Sequence, residues 1–132
     1  MAVPSVDEGQ IREDGHRWTG YYTYGTGGQA GEKNRMDLVL VMDGGRIRGT
    51  GSDAEVGSFE IDGTYRSGSN ELEFVKRYPK RPDIRYTGFF EEGYGIWGKW
   101  RGGLSRSAVT VRSRGEFHIW PCGGGDEQAL DR

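Results

Sequence analysis

The sequence is poor in the two residue types that most often cross-link a small protein or bind metal in it. Cys122 is the single cysteine, which excludes an intramolecular disulfide and a zinc site built from several thiolates. The two histidines, His16 and His118, are too few for a histidine-based metal site. We therefore expect no metal ion and no other cofactor, and a core stabilised by packing alone.

Long apolar segments and a strong net charge are also missing. The longest apolar run, Leu38 to Met42, is far shorter than the roughly 18 residues of a membrane-spanning helix. Residues 1 to 8 have neither the basic start nor the apolar stretch of a signal peptide, which predicts a cytoplasmic protein. The 18 basic and 20 acidic residues give a net charge of -2, which argues against nucleic acid and anionic membranes as partners.

Glycine and aromatic residues are abundant instead. Glycine contributes 24 of the 132 residues, and aromatic residues make up 12% of the chain. A disordered chain would contain few aromatic residues, and collagen would repeat glycine at every third position. The composition therefore indicates one domain of short, aromatic-rich strands separated by turns.

Alternating side-chain character predicts eight strands, because residues two apart in a strand share a face. The alternation is cleanest between Ser58 and Tyr65. The predicted strands are residues 17 to 24, 36 to 42, 46 to 52, 58 to 65, 71 to 78, 84 to 90, 96 to 101 and 116 to 120. Residues 108 to 111 form either a ninth strand or the start of the last one. No helix of normal length is predicted.

Turns and glycines indicate how these strands are arranged. Asp43-Gly44-Gly45 predicts a tight hairpin, because these residues accept the positive φ of a two-residue turn. Five strands carry a glycine on the predicted inner face, as expected for a sharply coiled, closing sheet: Gly20, Gly49, Gly63, Gly88 and Gly98. The predicted fold is all-β, a single antiparallel up-and-down barrel of about eight strands, with a β-sandwich as the alternative. It covers residues 17 to 121, and residues 1 to 16 and 122 to 132 are predicted to be mobile tails.

Three segments resemble the calycin-type barrels, which include avidin-like and lipocalin-like proteins. They are Trp18-Thr19-Gly20-Tyr21-Tyr22, Tyr86-Thr87-Gly88-Phe89 and Ile96-Trp97-Gly98-Lys99-Trp100. The resemblance is one of strand rhythm and composition over residues 17 to 121. It implies a small-molecule site inside the barrel and, as in the avidin-like members, association through outer faces. No set of polar residues matches a biotin site, so biotin binding is not predicted.

Lys76 is the first candidate site residue, because it lies between Phe74 and Tyr78 on a predicted inner face. A buried ammonium needs a counter-charge, so Lys76 either anchors an anionic ligand or pairs with a carboxylate. The alternative is a lysine that extends to solvent near a strand end, over a filled core. The other candidate ligand-binding residues are aromatic and share predicted inner faces: Tyr22, Tyr65, Tyr78, Tyr86 and Trp100.

The outer faces carry apolar residues as well. The alternation points Val39, Val41, Phe89 and Trp97 outward, which predicts a subunit or partner interface and favours a homo-oligomer. No catalytic motif is present, and no catalytic residue is predicted. The expected function is non-catalytic binding of a small apolar or anionic molecule, or of a protein partner. The alternative is a cofactor-free enzyme with its site at the barrel mouth around Lys76.

Overall fold

The computed structural model describes residues 15–25, 31–102 and 114–122. Residues 108 to 111 and most of the two predicted tails lie outside the described residues. The described strands are β1 His16–Tyr24, β2 Lys33–Asp43, β3 Arg46–Asp53, β4 Ser58–Arg66, β5 Glu71–Arg77, β6 Ile84–Glu91, β7 Gly95–Arg101 and β8 Arg114–Pro121.

Each strand pairs antiparallel with the next, and β8 pairs with β1 to close the sheet. The predicted all-β, eight-stranded up-and-down barrel is thereby confirmed, and the sandwich alternative is wrong. The predicted hairpin is present between β2 and β3. Its two turn residues, Gly44 and Gly45, have φ values of 61° and 86°, which is the backbone of a tight turn that follows the twist of its strands.

Strand boundaries differ from the predicted ones by up to three residues. Strand β2 begins at Lys33 instead of Met36, because the polar residues before Met36 pair with the second half of β1. Strand β1 begins at His16, which pairs with Leu40 although the sequence placed it in the tail. Strand β5 ends at Arg77, so the buried Tyr78 follows the strand.

The alternating inner faces fill the barrel interior. Three isoleucines, Ile47, Ile96 and Ile119, are fully buried. Further along the interior, the rings of Phe74 and Tyr86 stack with centroids 4.9 Å apart. Packing of this kind stabilises the closed sheet through the area that each large side chain removes from water.

Two inner-face glycines show how closely the strands approach each other. Gly88 of β6 and Gly98 of β7 are directly opposite in the register. A Cβ atom added to Gly98 would collide with the backbone of Thr87 and of Gly88. The absence of a side chain is therefore a packing requirement at this point of the wall. Among the described residues, no helix is long and apolar enough to cross a membrane.

Candidate functional site

A concave pocket, hereafter the cup, opens at the end of the barrel where β3 and β5 finish. Its volume is about 240 Å³. Residues of β1, β5, β6 and β7, of the loops after β3 and β5 and of the position after β7 line it: Tyr22, Tyr24, Glu55, Val56, Lys76, Tyr78, Arg81, Pro82, Ile84, Tyr86, Trp100 and Gly102. One wall is therefore made of aromatic rings, and the floor contains the buried Lys76.

The loop after β3 is held by Asp53, the last residue of that strand. Its Oδ1 accepts hydrogen bonds from the backbone N–H of Glu55 at 3.0 Å, of Val56 at 2.7 Å and of Gly57 at 3.4 Å. An aspartate that binds the backbone after it in this way makes a compact turn. The turn leaves Oδ2 of Asp53 for the barrel interior and brings Glu55 to the wall of the cup.

Lys76 and Asp53 form a buried ion pair at the floor of the cup. The Lys76 ammonium lies 3.2 Å from Oδ2 of Asp53, and both side chains are almost completely inaccessible, at 1% and 0% exposure. The ammonium also donates to the Tyr86 hydroxyl at 3.3 Å and lies 3.6 Å from the sulfur of Met36. Since a lysine has three donors, each has an acceptor within the protein.

Aromatic faces surround the same ammonium. The Nζ atom lies 4.3 Å from the ring centroid of Tyr22 and 4.5 Å from that of Phe59. It lies 5.0 Å from the Tyr78 centroid and 5.5 Å from the Tyr86 centroid. Cation–π attraction of this kind compensates part of the loss of water around a buried charge.

The environment shifts the ionisation of both partners. Burial lowers the pKa of Lys76 to about 8, and the nearby Asp53 carboxylate opposes that shift. Burial alone would raise the pKa of Asp53, but the Tyr78 hydroxyl, the Val56 N–H and the Lys76 charge outweigh it and lower that pKa. The carboxylate is therefore better stabilised by its surroundings than the ammonium is.

Glu55 holds two phenols of the aromatic wall. The Tyr22 hydroxyl donates to its Oε1 at 2.6 Å, and the Tyr24 hydroxyl lies 2.9 Å from Oε1 and 3.0 Å from Oε2. Burial and the Glu55 hydrogen bond raise the pKa of Tyr24 to about 12 and that of Tyr22 further. Both phenols thus remain protonated donors at neutral pH.

Three rings of this wall, those of Tyr22, Tyr24 and Trp100, form an aromatic corner in which each tyrosine ring is nearly perpendicular to the indole. The centroids of Tyr24 and Trp100 are 5.2 Å apart at 89°, and those of Tyr22 and Trp100 are 6.0 Å apart at 89°. The indole N–H of Trp100 donates to the carbonyl of Thr23 at 2.9 Å, which fixes the ring. The corner presents fixed π surfaces to the cup.

Five of the six candidate ligand-binding residues line the cup, namely Tyr22, Lys76, Tyr78, Tyr86 and Trp100. The sixth, Tyr65, lies at the opposite end of the barrel, where its backbone N–H donates to the carbonyl of Gly45 at 2.9 Å. Sequence reasoning missed Asp53, Glu55 and Arg81. An inward lysine signals a nearby carboxylate, but spacing along the chain does not identify which one.

The four candidate interface residues do not form one surface. Val39 and Val41 are on β2, whereas Phe89 and Trp97 are on β6 and β7, halfway around the closed sheet. Phe89 and Trp97 are 42% and 39% exposed, and their ring centroids are 5.5 Å apart. The indole N–H of Trp97 donates to Glu91 at 3.0 Å.

Within the described ranges, no group of three or more His, Cys, Asp or Glu residues is arranged to hold a metal ion. The side chains that line the cup offer hydrogen bonds, charges and aromatic faces. Comparison of the chain with protein-family models, with curated proteins and with solved structures finds no match.

Proposed function

We propose that the protein is a non-catalytic binding barrel that holds a small molecule in the cup. The observation that carries the proposal is a preformed concavity whose wall and floor are ordered by hydrogen bonds through Asp53 and Glu55. Ligand sites are usually preformed, with apolar or aromatic walls and few oriented polar groups. The cup has these properties.

The dimensions of the cup limit the ligand to a compact molecule. A volume of about 240 Å³ is below the range of roughly 300–1,000 Å³ that is typical of pockets for drug-sized ligands.

We further propose kinship with calycin-type barrels, supported by the closed eight-stranded architecture. Ligand sites of β-barrels lie preferentially in the barrel mouth, so this kinship and the cup support the same function.

Native mass spectrometry of freshly purified protein tests the proposal. We expect a mass above that of the polypeptide, lost in Val56→Phe because the larger side chain fills the cup. The matched control is Val75→Phe, which makes the same change on the outer side of β5, where Val75 is opposite Asp62 and Arg85. Val75→Phe should keep the extra mass.

Loss of the extra mass in both variants, or in neither, would place the ligand elsewhere and contradict the proposal. Circular dichroism of the two variants shows whether each remains folded. A folded Val56→Phe without ligand beside a folded Val75→Phe with ligand is the supporting result.

A cofactor-free enzyme is the second candidate, favoured by the lowered pKa of Lys76 beside several phenols. A lysine amine with a pKa near 8 is partly neutral at physiological pH and is then a nucleophile or base. Its three protein acceptors and its 1% exposure favour binding over reaction. Recovery of the ligand unchanged supports binding, whereas conversion by the wild type but not by Lys76→Met supports the enzyme.

The exposed pair Phe89 and Trp97 supports a further proposal, that the protein associates with itself or with a protein partner through β6 and β7. Exposed apolar side chains that adjoin one another are typical of interaction surfaces.

We propose a cytoplasmic setting on the basis of the single cysteine, because small secreted domains usually depend on disulfides.

A further inference from the structure

The charges that line the cup are of two kinds. Asp53 and Lys76 neutralise each other at the floor. Glu55 and Arg81 also line the cup, but neither takes part in any of the six salt bridges between described residues, and they do not pair with each other. The cup therefore offers one negative and one positive side chain that form no salt bridge within the described part of the chain, and the Glu55 charge acts on Lys76 only at longer range.

The floor is a poor anchor for an anion. The three donors of Lys76 already face Asp53, Tyr86 and Met36, so an anionic ligand would have to displace one of these acceptors. An anion that displaced Asp53 would also bring a second negative charge beside that buried carboxylate, and like charges at close range repel each other strongly where water is excluded. An anionic group can reach the positive charge of Arg81 without such a cost, because the Arg81 side chain is exposed at the rim.

The wall beside Glu55 fits a cation. The Glu55 carboxylate is fixed by the hydroxyls of Tyr22 and Tyr24, so its charge lies beside the aromatic corner. Carboxylates next to aromatic faces bind ammonium groups, with the faces contributing through cation–π attraction. Because the Lys76 ammonium already covers one face of Tyr22, the rings of Tyr24 and Trp100 are the faces that a ligand's ammonium would contact.

We infer that the ligand is a compact ammonium zwitterion, with its cationic end at Glu55 and the aromatic corner and its anionic end toward Arg81. The inference rests on the proposed binding function and adds the charge class of the ligand. A molecule with one charge of each sign complements the unpaired side chains and leaves the Asp53–Lys76 pair undisturbed. The volume of about 240 Å³ suits a molecule the size of an amino acid or a betaine.

Three probes of nearly identical shape separate the charges of such a ligand. Glycine betaine carries both charges, tert-butylacetate replaces the ammonium nitrogen by carbon, and betaine amide removes the negative charge. Isothermal titration of the purified protein, after removal of any retained ligand by dialysis, measures each affinity. We expect betaine to bind with a millimolar or tighter dissociation constant. Each of the other two should bind about two- to fivefold more weakly, because one charged contact to a solvent-exposed side chain is lost.

Two charge-removing variants locate the two ends of the ligand. Glu55→Gln keeps a hydrogen-bond acceptor for the phenols and should weaken betaine about two- to fivefold without affecting tert-butylacetate. Arg81→Gln should weaken betaine similarly without affecting betaine amide. The control is Glu91→Gln, which removes a carboxylate at the opposite end of the barrel, beside Trp97, and should change none of the three affinities.

The outcomes separate this inference from the function on which it rests. Failure of all three probes to bind, or binding of tert-butylacetate as tight as that of betaine, would overturn the zwitterion. If native spectra still show a retained mass that Val56→Phe removes and Glu55→Gln and Arg81→Gln do not, the cup binds another class of ligand and the proposed function stands. If no retained mass depends on Val56 and none of the three probes binds, both are wrong.

Discussion

Removal of Asp53 from the buried ion pair should destabilise the protein more than removal of Lys76. In Asp53→Asn, the Lys76 ammonium keeps only the Tyr86 hydroxyl, the Met36 sulfur and ring faces as partners. Loss of the counter-ion of a buried charge typically destabilises a protein by about 3 kcal/mol or more. Because Lys76, with a pKa of about 8, can release its proton instead of remaining unpaired, we expect a smaller loss of about 1.5 kcal/mol in the free energy of unfolding at pH 7, or a decrease in Tm of about 5 °C.

In Lys76→Met, by contrast, the Asp53 carboxylate keeps the Tyr78 hydroxyl and three backbone N–H groups. Methionine also fills most of the space of the lysine stem. We expect the free energy of unfolding to change by no more than about 1 kcal/mol, since the variant loses the ion pair but also a charge that burial disfavours. The double variant Asp53→Asn/Lys76→Met should be more stable than Asp53→Asn alone, because it has no unpaired ammonium.

Urea unfolding of the wild type and the three variants at pH 7 measures these differences. The reasoning would be refuted if Lys76→Met lost more stability than Asp53→Asn, or if the double variant were the least stable of the four.

A second measurement is the pH dependence of the free energy of unfolding. Because the folded-state pKa of Lys76, about 8, lies below its unfolded value of about 10.4, the unfolded chain binds more protons between these values. Stability should therefore rise with pH in that window, by at most about 3 kcal/mol relative to Lys76→Met.

Two further predictions concern the barrel wall and its outer surface. Gly98→Ala should lower the free energy of unfolding in urea by about 2 kcal/mol or more, because its Cβ would collide with the backbone of β6. The control is Gly68→Ala, which has open space around it and should change that free energy by less than about 0.5 kcal/mol. Trp97→Glu should convert an oligomer to monomers, as measured by light scattering, while Lys99→Glu on the same strand should leave the oligomer intact. Identical masses for both variants and the wild type would show that Phe89 and Trp97 are not part of a self-association surface.

Most of the fold could be predicted from the sequence, because period-two alternation and turn chemistry act locally. The Gly44–Gly45 turn and the inner faces of β4 and β5 follow directly from residue order. The start of β2 could not be predicted, because its first polar residues are held by pairing with β1 and not by an apolar pattern of their own. The alternating pattern of a strand does not reveal an end that is held only by pairing with a residue far away in the sequence.

The candidate site could be predicted in part for the same reason. Inward alternation identified Lys76 and four of the rings that line the cup, but it also included Tyr65, because alternation gives the face of a strand and not the end of the barrel. Asp53 and Glu55 were missed because Asp53 ends β3 and Glu55 lies in the turn after it, and alternation does not show which residues of other strands come close to Lys76. The shear of a barrel is a property of all its strands together.

A crystal structure of the protein as purified, without any step that strips small molecules, tests the central claim most directly. The account predicts density for a compact molecule in the cup, in contact with the aromatic corner formed by Tyr22, Tyr24 and Trp100, and with the Asp53–Lys76 pair intact beneath it. A cup that contains only water while a retained molecule occupies another surface would contradict the account.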